Sequence, residues 1–336
     1  MSPLRSLAES REVLFVGGKG GVGKTAVASA IALEQAKGGR RTLVVSTDPA
    51  HNLGHLWQRP IGDTPVELAP LLRGVEVDPA RTTDAHLAAV RATMTRLMPE
   101  HLSGEVAKHL SLARDAPGTH EAAVLERVAE IVEGRERDEL IVFDTAPSGH
   151  TARLVALPEL MQAWTEGLLR RQERSASFGA ALRGLEREDE DPMAASVVGI
   201  GARPKGDRDR RARRDSEIRT ILTRRQERFA DLRAVLQDPA RTAFVIVLAA
   251  ERLPVLETIE LAEQLGRSGM DVGALVVNKR SPADAGPLLT ARREVEEGYL
   301  ATLAGALPGL PRVEVPLLPG EVLGEQGLTD LGRHLH

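Results

Sequence analysis

The sequence predicts an α/β fold: a doubly wound, mostly parallel sheet with helices on both faces and a helical insertion subdomain. Three observations lead there. Short β-branched apolar runs alternate with helical patterns, the order that crossovers between parallel strands require. Several of these runs are apolar at every position, as strands covered on both faces should be. Two long stretches, approximately 84–133 and 158–237, are helical in pattern with no strand between, which marks an insertion.

In chain order, strands are expected at Val13–Val16, Thr42–Ser46, Val75–Val77, Leu140–Phe143, Phe244–Leu248, Ala274–Val277 and Val313–Val315. A helix is expected after the first strand, through Ala36. No repeat of 20–50 residues is visible, so residues 1–336 read as a single domain with the insertion inside it. Within the insertion, Ser175–Asp215 is rich in Gly, Arg, Glu and Asp, with Ala195–Ile200 a weak apolar island. That composition is expected to form a mobile surface segment.

The 336 residues are 42% hydrophobic and 27% charged, ordinary for a globular chain. A formal net charge of -4 gives no reason to expect nucleic-acid binding. There is no cysteine, which excludes disulfides, thiolate metal sites and a cysteine nucleophile. Met1–Arg11 is polar and lacks the apolar core of a signal peptide. The longest apolar run, Ala243–Ala250, is far below the roughly 18 residues that span a bilayer. A cytoplasmic location is expected.

The first strand runs into Gly17-Gly18-Lys19-Gly20-Gly21-Val22-Gly23-Lys24-Thr25, a helix follows through Ala36, and Gly18 to Ala26 are expected to bind the nucleotide. This satisfies G-x-x-x-x-G-K-[ST] between a strand and a helix, the P-loop of nucleoside triphosphatases. Its glycines let successive backbone N–H groups converge on phosphate oxygens, and the helix N-terminus adds its positive end. Lys24 is expected on the β- and γ-phosphates of ATP, and the Thr25 hydroxyl on Mg²⁺. Gly18, Gly20 and Gly23 also match a dinucleotide fingerprint. A pyrophosphate held by backbone alone has no need of the Lys-Thr pair, whereas a triphosphate with magnesium does. Two of the chain's six lysines lie in this loop.

The second strand ends in Thr47-Asp48-Pro49-Ala50-His51-Asn52-Leu53. Ligand chemistry gathers at the carboxyl ends of strands in such sheets. Asp48 there either orients the water that attacks a γ-phosphate or simply caps an Asp-Pro turn. The strand Leu140–Phe143 ends in Asp144-Thr145-Ala146-Pro147-Ser148-Gly149-His150-Thr151. An apolar strand ending in Asp is the Walker B arrangement, in which the carboxylate helps hold Mg²⁺. Asp48 and Asp144 are both expected to act on the metal through water. The Pro-Ser-Gly stretch is a candidate switch loop. His51 and His150 lack companion ligands and read as loop-positioning hydrogen-bond residues.

Lys19 sets the loop apart from an ordinary P-loop. The string KGGVGKT resembles the deviant Walker A class of nitrogenase iron protein and the partitioning ATPases. STDPAHNL and DTAPSGHT resemble, within that class, the arsenite-pump ATPases and the ATPases that target tail-anchored membrane proteins. DPARTAFVIV, VVNKR and VPLLPGEVLG extend the resemblance over nearly the whole chain. It implies a homodimer in which Lys19 reaches the partner's nucleotide. It implies that Asp48 polarises the hydrolytic water, that Asn278 hydrogen-bonds adenine, and that Pro316–Leu317 packs on the base. Asn278-Lys279-Arg280-Ser281 partly mimics a guanine-reading motif, with Ser281 in place of the carboxylate, so ATP is expected over GTP. The chain departs from these relatives in its cysteines. A Cys-x-x-Cys zinc site cannot exist here, so no zinc is expected, and thiolate capture of arsenite is disfavoured.

In the insertion, Leu87, Val90, Met94, Leu97 and Met98 recur at helical spacing, as do Leu157, Leu160, Met161, Trp164 and Leu168. Four of the six methionines fall here: Met94, Met98, Met161 and Met193. The stripes are either helix cores or an adaptable groove. Arg208–Arg214, interspersed with Asp207, Asp209 and Asp215, reads as a solvated helix start. The expected activity is a Mg²⁺-dependent ATPase switch. Its expected role is a targeting chaperone that holds the hydrophobic transmembrane segment of a client. The alternatives are the energising subunit of an arsenite or anion pump docked on a membrane-protein partner, and a regulatory switch with a soluble partner.

Overall fold

The computed structural model describes residues 2–48, 52–97, 108, 114, 118–145 and 205–335. Eight strands form one sheet. In chain order they are β1 (Val13–Gly18), β2 (Thr42–Ser46), β3 (Val66–Ala69), β4 (Leu72–Glu76), β5 (Leu140–Asp144), β6 (Thr242–Ala249), β7 (Val272–Arg280) and β8 (Arg312–Pro316). Their spatial order is β3-β4-β2-β5-β1-β6-β7-β8. Every neighbouring pair is parallel except β3 and β4.

The helices are α1 (Pro3–Ser10), α2 (Lys24–Lys37), α3 (Asn52–Leu56), α4 (Pro79–Leu97), α5 (Thr119–Glu133), α6 (Lys205–Gln237), α7 (Arg252–Arg267), α8 (Pro287–Ala306) and α9 (Gly324–Gly332). They cover both faces of the sheet. On one face Leu14 and Val16 of β1 pack with Val27, Ile31 and Leu33 of α2 and Leu328 and Leu331 of α9. On the other, Val13 and Phe15 pack with Leu125 and Val128 of α5, Phe229 and Leu232 of α6, and Leu261 and Leu265 of α7. The period-2 alternation of side chains along a strand divides β1 between these two cores. Phe143, Phe15 and Phe244 lie side by side in register on β5, β1 and β6. Their rings stack, with centroids 4.8 and 6.2 Å from Phe15, so three of the chain's five phenylalanines form one row on this face of the three central strands.

All seven expected strands are present, and β1, β6 and β7 run further than their apolar cores suggested. Besides the short helices α3 and α9, one strand and one helix were not anticipated. The edge strand β3 is short, with Glu67 exposed, so it carried little apolar signal. The helix α1, within the polar N-terminus, buries only Leu4 and Ala8. The segment expected to be mobile is corrected at its C-terminal end, because α6 already begins at Lys205. The helix start read at Arg208–Arg214 is present, a few residues earlier, in a run of alternating charges with no glycine or proline after Gly206. Residues 146–204 lie outside the described residues, and with them fall His150, the Pro-Ser-Gly stretch, Leu157–Leu168 and Met193. The same holds for His51 and Met98, and nothing is described of the side chains of Val90, Met94 and Leu97. Among the described residues, no helix is long and apolar enough to cross a membrane.

Candidate active site

The site forms where the carboxyl ends of β1, β2 and β5 lie in one row. Val16 pairs with Asp144 and Ser46 pairs with Asp144, so the register itself brings three distant segments together. Two glycines let β1 run on past that row. A Cβ on Gly18 would collide with the Val247 carbonyl of β6, and one on Gly17 with the Phe244 ring. Gly18, at φ 141°, therefore lies flush against its neighbour, where no other residue fits.

From Gly18 the chain turns through Lys19, Gly20, Gly21, Val22 and Gly23 into α2. Gly21 and Gly23 have φ of 78° and 95°, the left-handed region that glycine enters without strain. Gly23 occupies the N-cap of α2, with no side chain capping the first turn. The leading N–H groups of α2 therefore face the loop's interior, the setting in which phosphate binds. Lys24 and Thr25 open the helix, with Ala26 next.

The Thr25 hydroxyl donates to Asp144 Oδ2 at 2.7 Å, and the Ser46 hydroxyl donates to the same oxygen at 3.1 Å. Asp144 is fully buried, and its Oδ1 has no hydrogen-bond partner among the described residues. Burial pushes the Asp144 carboxyl up to about 6, against the bonds from Thr25 and Ser46 and the pull of Lys24. Lys24 is buried too, and its Nζ donates to the Lys19 carbonyl at 3.2 Å. Burial lowers its pKa, opposed by the charges of Asp144 and Asp48. Asp48 is buried beside them, with its backbone N–H on the Ser46 hydroxyl at 3.3 Å. A buried cation and two buried carboxylates thus share one cradle under the loop.

The other rim is built from the ends of β7 and β8. Asn278 Nδ2 donates to the Val22 carbonyl at 2.8 Å, and Lys279 Nζ donates to the Gly21 carbonyl at 2.8 Å. Asn278, expected on adenine, thus ties the end of β7 to the phosphate loop. Ser281, which stands where a guanine-reading motif has its carboxylate, is buried and donates to Glu296 at 2.7 Å. Pro316 pairs with Arg280, and the half-exposed Leu317 donates its N–H to the Arg280 carbonyl, so both lie on the same rim. Lys19 points outward to Glu257 of α7, at 3.0 Å within the same chain.

The structure therefore brings together Gly18–Ala26, Asp48, Asp144 and Asn278, with Pro316 and Leu317 at the edge. Sequence reasoning missed Ser46, Lys279 and Glu257. Ser46 and Lys279 stood inside motif strings already singled out. Glu257 carried no sequence signal, because only the packing of α7 brings it to the loop.

The donor set suits magnesium. Among the described residues no cluster of three or more His, Cys, Asp or Glu side chains could hold a metal alone. A hydroxyl backed by a buried carboxylate with an unmet oxygen matches an ion whose remaining ligands come from phosphate and water.

Comparison with known proteins agrees. The profile of the anion-transporting ATPase family matches residues 11–336. The chain is 29% identical over 333 residues to "ATPase ASNA1 homolog 1" of Paramecium tetraurelia, covering 97% of this chain and 93% of that one. It is 30% identical over 347 residues to "ATPase GET3" of Podospora anserina, covering 99% and 93%. With its phosphate loop, its buried carboxylates and this end-to-end match, the chain belongs to the anion-transporting (ArsA-type) ATPase family and is an ATP hydrolase.

Proposed function

We propose that the chain is a Mg²⁺-dependent, dimeric ATPase switch that shields the transmembrane segment of tail-anchored membrane proteins. The observation that carries the ATPase half is the Asp144 carboxylate. It is buried, bonded to Thr25 on one oxygen and unpartnered on the other, directly beneath the phosphate loop. The backbone N–H groups of Gly18–Ala26 would cradle the phosphates of ATP, with Lys24 releasing the Lys19 carbonyl to take the β- and γ-oxygens. Thr25 would hold the Mg²⁺, with Asp144 and Asp48 behind it. The bound ion would neutralise charge developing on the phosphoryl oxygens. Asp48 would orient the attacking water and accept its proton. Asn278 and the Pro316–Leu317 edge would hold adenine. Lys19 of each subunit would reach the partner's nucleotide, so that closure depends on ATP.

The targeting half is supported by the resemblance of STDPAHNL and DTAPSGHT to the tail-anchored targeting ATPases and by the methionine-bearing stripes. Co-expression with a tagged tail-anchored segment tests it. A soluble complex made with Mg-ATP and released on hydrolysis is expected. An active enzyme that forms no complex would remove the targeting role. The second reading, an energising subunit of an anion pump, is favoured by the family's description as anion-transporting. Arsenite or another oxyanion stimulating turnover would establish it. Independently, Asp48→Asn should bind ATP but hydrolyse it about 10²-fold more slowly, within the range for losing general-base catalysis.

A further inference from the structure

We propose that Glu257 is a positioning residue that holds Lys19 in a resting place within its own subunit, so that assembly of the ATP-bound dimer requires the exchange of this carboxylate for phosphate.

The argument begins with α7. Its first turns follow β6, the neighbour of β1, which sets them beside the phosphate loop. Pro254, Val255, Thr258 and Leu261 face the core, leaving Leu253, Leu256 and Glu260 on the opposite, exposed side. Glu257 lies at the boundary between the two faces. There its carboxylate meets the Lys19 amine at 3.0 Å.

Lys19 cannot serve two places. With its amine on Glu257 it is directed across its own loop, and it must leave to reach another subunit. Both side chains are about one-third exposed, 35% and 38%, so water and salt already weaken the pair. Such a pair contributes little and opens readily. A triphosphate carries more charge than one carboxylate and displaces it, so the latch biases the resting state without blocking the active one. The bias is set by the difference in affinity between the two partners. A symmetric dimer opens two latches at once, which sharpens its dependence on nucleotide.

This inference rests on the proposed role of Lys19 in trans. Its test is the dimer dissociation constant in Mg-ATP, measured by sedimentation for four forms: wild type, Glu257→Gln, Lys19→Ala and the double variant. Glu257→Gln should tighten the dimer about tenfold, about threefold from each latch, within the range for partly exposed ion pairs. Glu257→Asp should restore part of the wild-type value. On the Lys19→Ala background, where assembly is expected to be lost, Glu257→Gln should not restore it, because no lysine is left to release. A merely structural glutamate would instead lower the thermal midpoint in both backgrounds.

An unchanged or weakened dimer in Glu257→Gln, with Lys19→Ala still abolishing assembly, would overturn the latch and leave the in-trans reading standing. A Lys19→Ala protein that dimerises and turns over normally would overturn both. An unchanged thermal midpoint in Glu257→Gln excludes misfolding as the source of either result.

Discussion

Two buried charges lie in the same sheet, separated by β1 and β6, and they are treated in opposite ways. Arg280, at the end of β7, is buried, yet every guanidinium nitrogen donates to a carboxylate: Nε to Glu314, Nη1 to Glu296 and Nη2 to Glu297. Burial alone would lower its pKa, but the bond and charge of Glu314, with Glu296 and Glu297, raise it instead. Asp144, at the end of β5, has hydroxyls on one oxygen and no partner on the other, and burial raises its pKa to about 6. A matched buried charge is architecture, whereas a half-matched one is what a site proposed to take up Mg²⁺ requires.

The matched cluster also supports the site indirectly. Glu296 takes Arg280, the Ser281 hydroxyl and the Ser281 N–H, which fixes the end of β7. There the β7–β8 register shifts between Val277 and Arg280, and Lys279 adopts φ 59°, unusual for a residue with a side chain. That conformation accompanies the bond from Lys279 to Gly21.

Replacement of Arg280 by Met should be the most damaging change in this contrast. It removes the buried partner of Glu296, which keeps only the Ser281 bonds and the more exposed Arg292 at 3.3 Å, and breaking a buried pair costs up to about 3–5 kcal/mol. Urea unfolding is the check, and a loss under about 1 kcal/mol would mean the cluster is not matched as described. Lys24→Ala comes next. It should lower turnover by about 10²–10³-fold, the range for losing a preorganised electrostatic donor, with little change in the unfolding midpoint.

Asp144→Asn should separate the two kinds of charge most cleanly. The raised pKa means that folding favours the protonated carboxyl. Its contribution is therefore fully present below pH ~4, the unfolded value, and is lost as pH rises through about 6. The nucleotide-free Asn variant should be more stable than wild type above pH 7 by about 1–3 kcal/mol, the order expected from a shift of about two units. The gain should fade below pH 4, and Mg-dependent turnover should be lost at every pH. A variant that is less stable at pH 8 would show that Asp144 is matched after all. The smallest effect should come from Lys279→Ala. It loosens a preformed loop, raising KM for ATP about threefold with kcat unchanged, since it removes uniform binding; a fall in kcat would place Lys279 in the chemistry.

Much of this was legible in the chain. The loop Gly17–Thr25 announced itself because its glycines, lysine and threonine act at fixed local spacing, and the central strands announced themselves by unbroken apolar runs. The edge strand β3 and helix α1 did not, because each buries too little apolar surface to leave a pattern. Asn278 was legible as a site residue, but its bond to Val22 was not, since that partner lies at the other end of the sequence. Ser281 stood in a base-reading position by motif, and the packing of α8 turned it inward onto Glu296.

What the sequence determined by itself was the chemistry of single segments: a phosphate loop with two lysines, two acidic strand ends and a chain without cysteine. Spacing of a few residues dictates such local geometry, so no tertiary knowledge is needed to read it. What only the tertiary structure decided was which charges meet. Sheet register placed Ser46 and Asp144 in one row, burial left one oxygen of Asp144 unmatched, and the seat of α7 put Glu257 on Lys19. Electrostatic interaction depends on distance and on exclusion of water, and both are properties of the packed molecule.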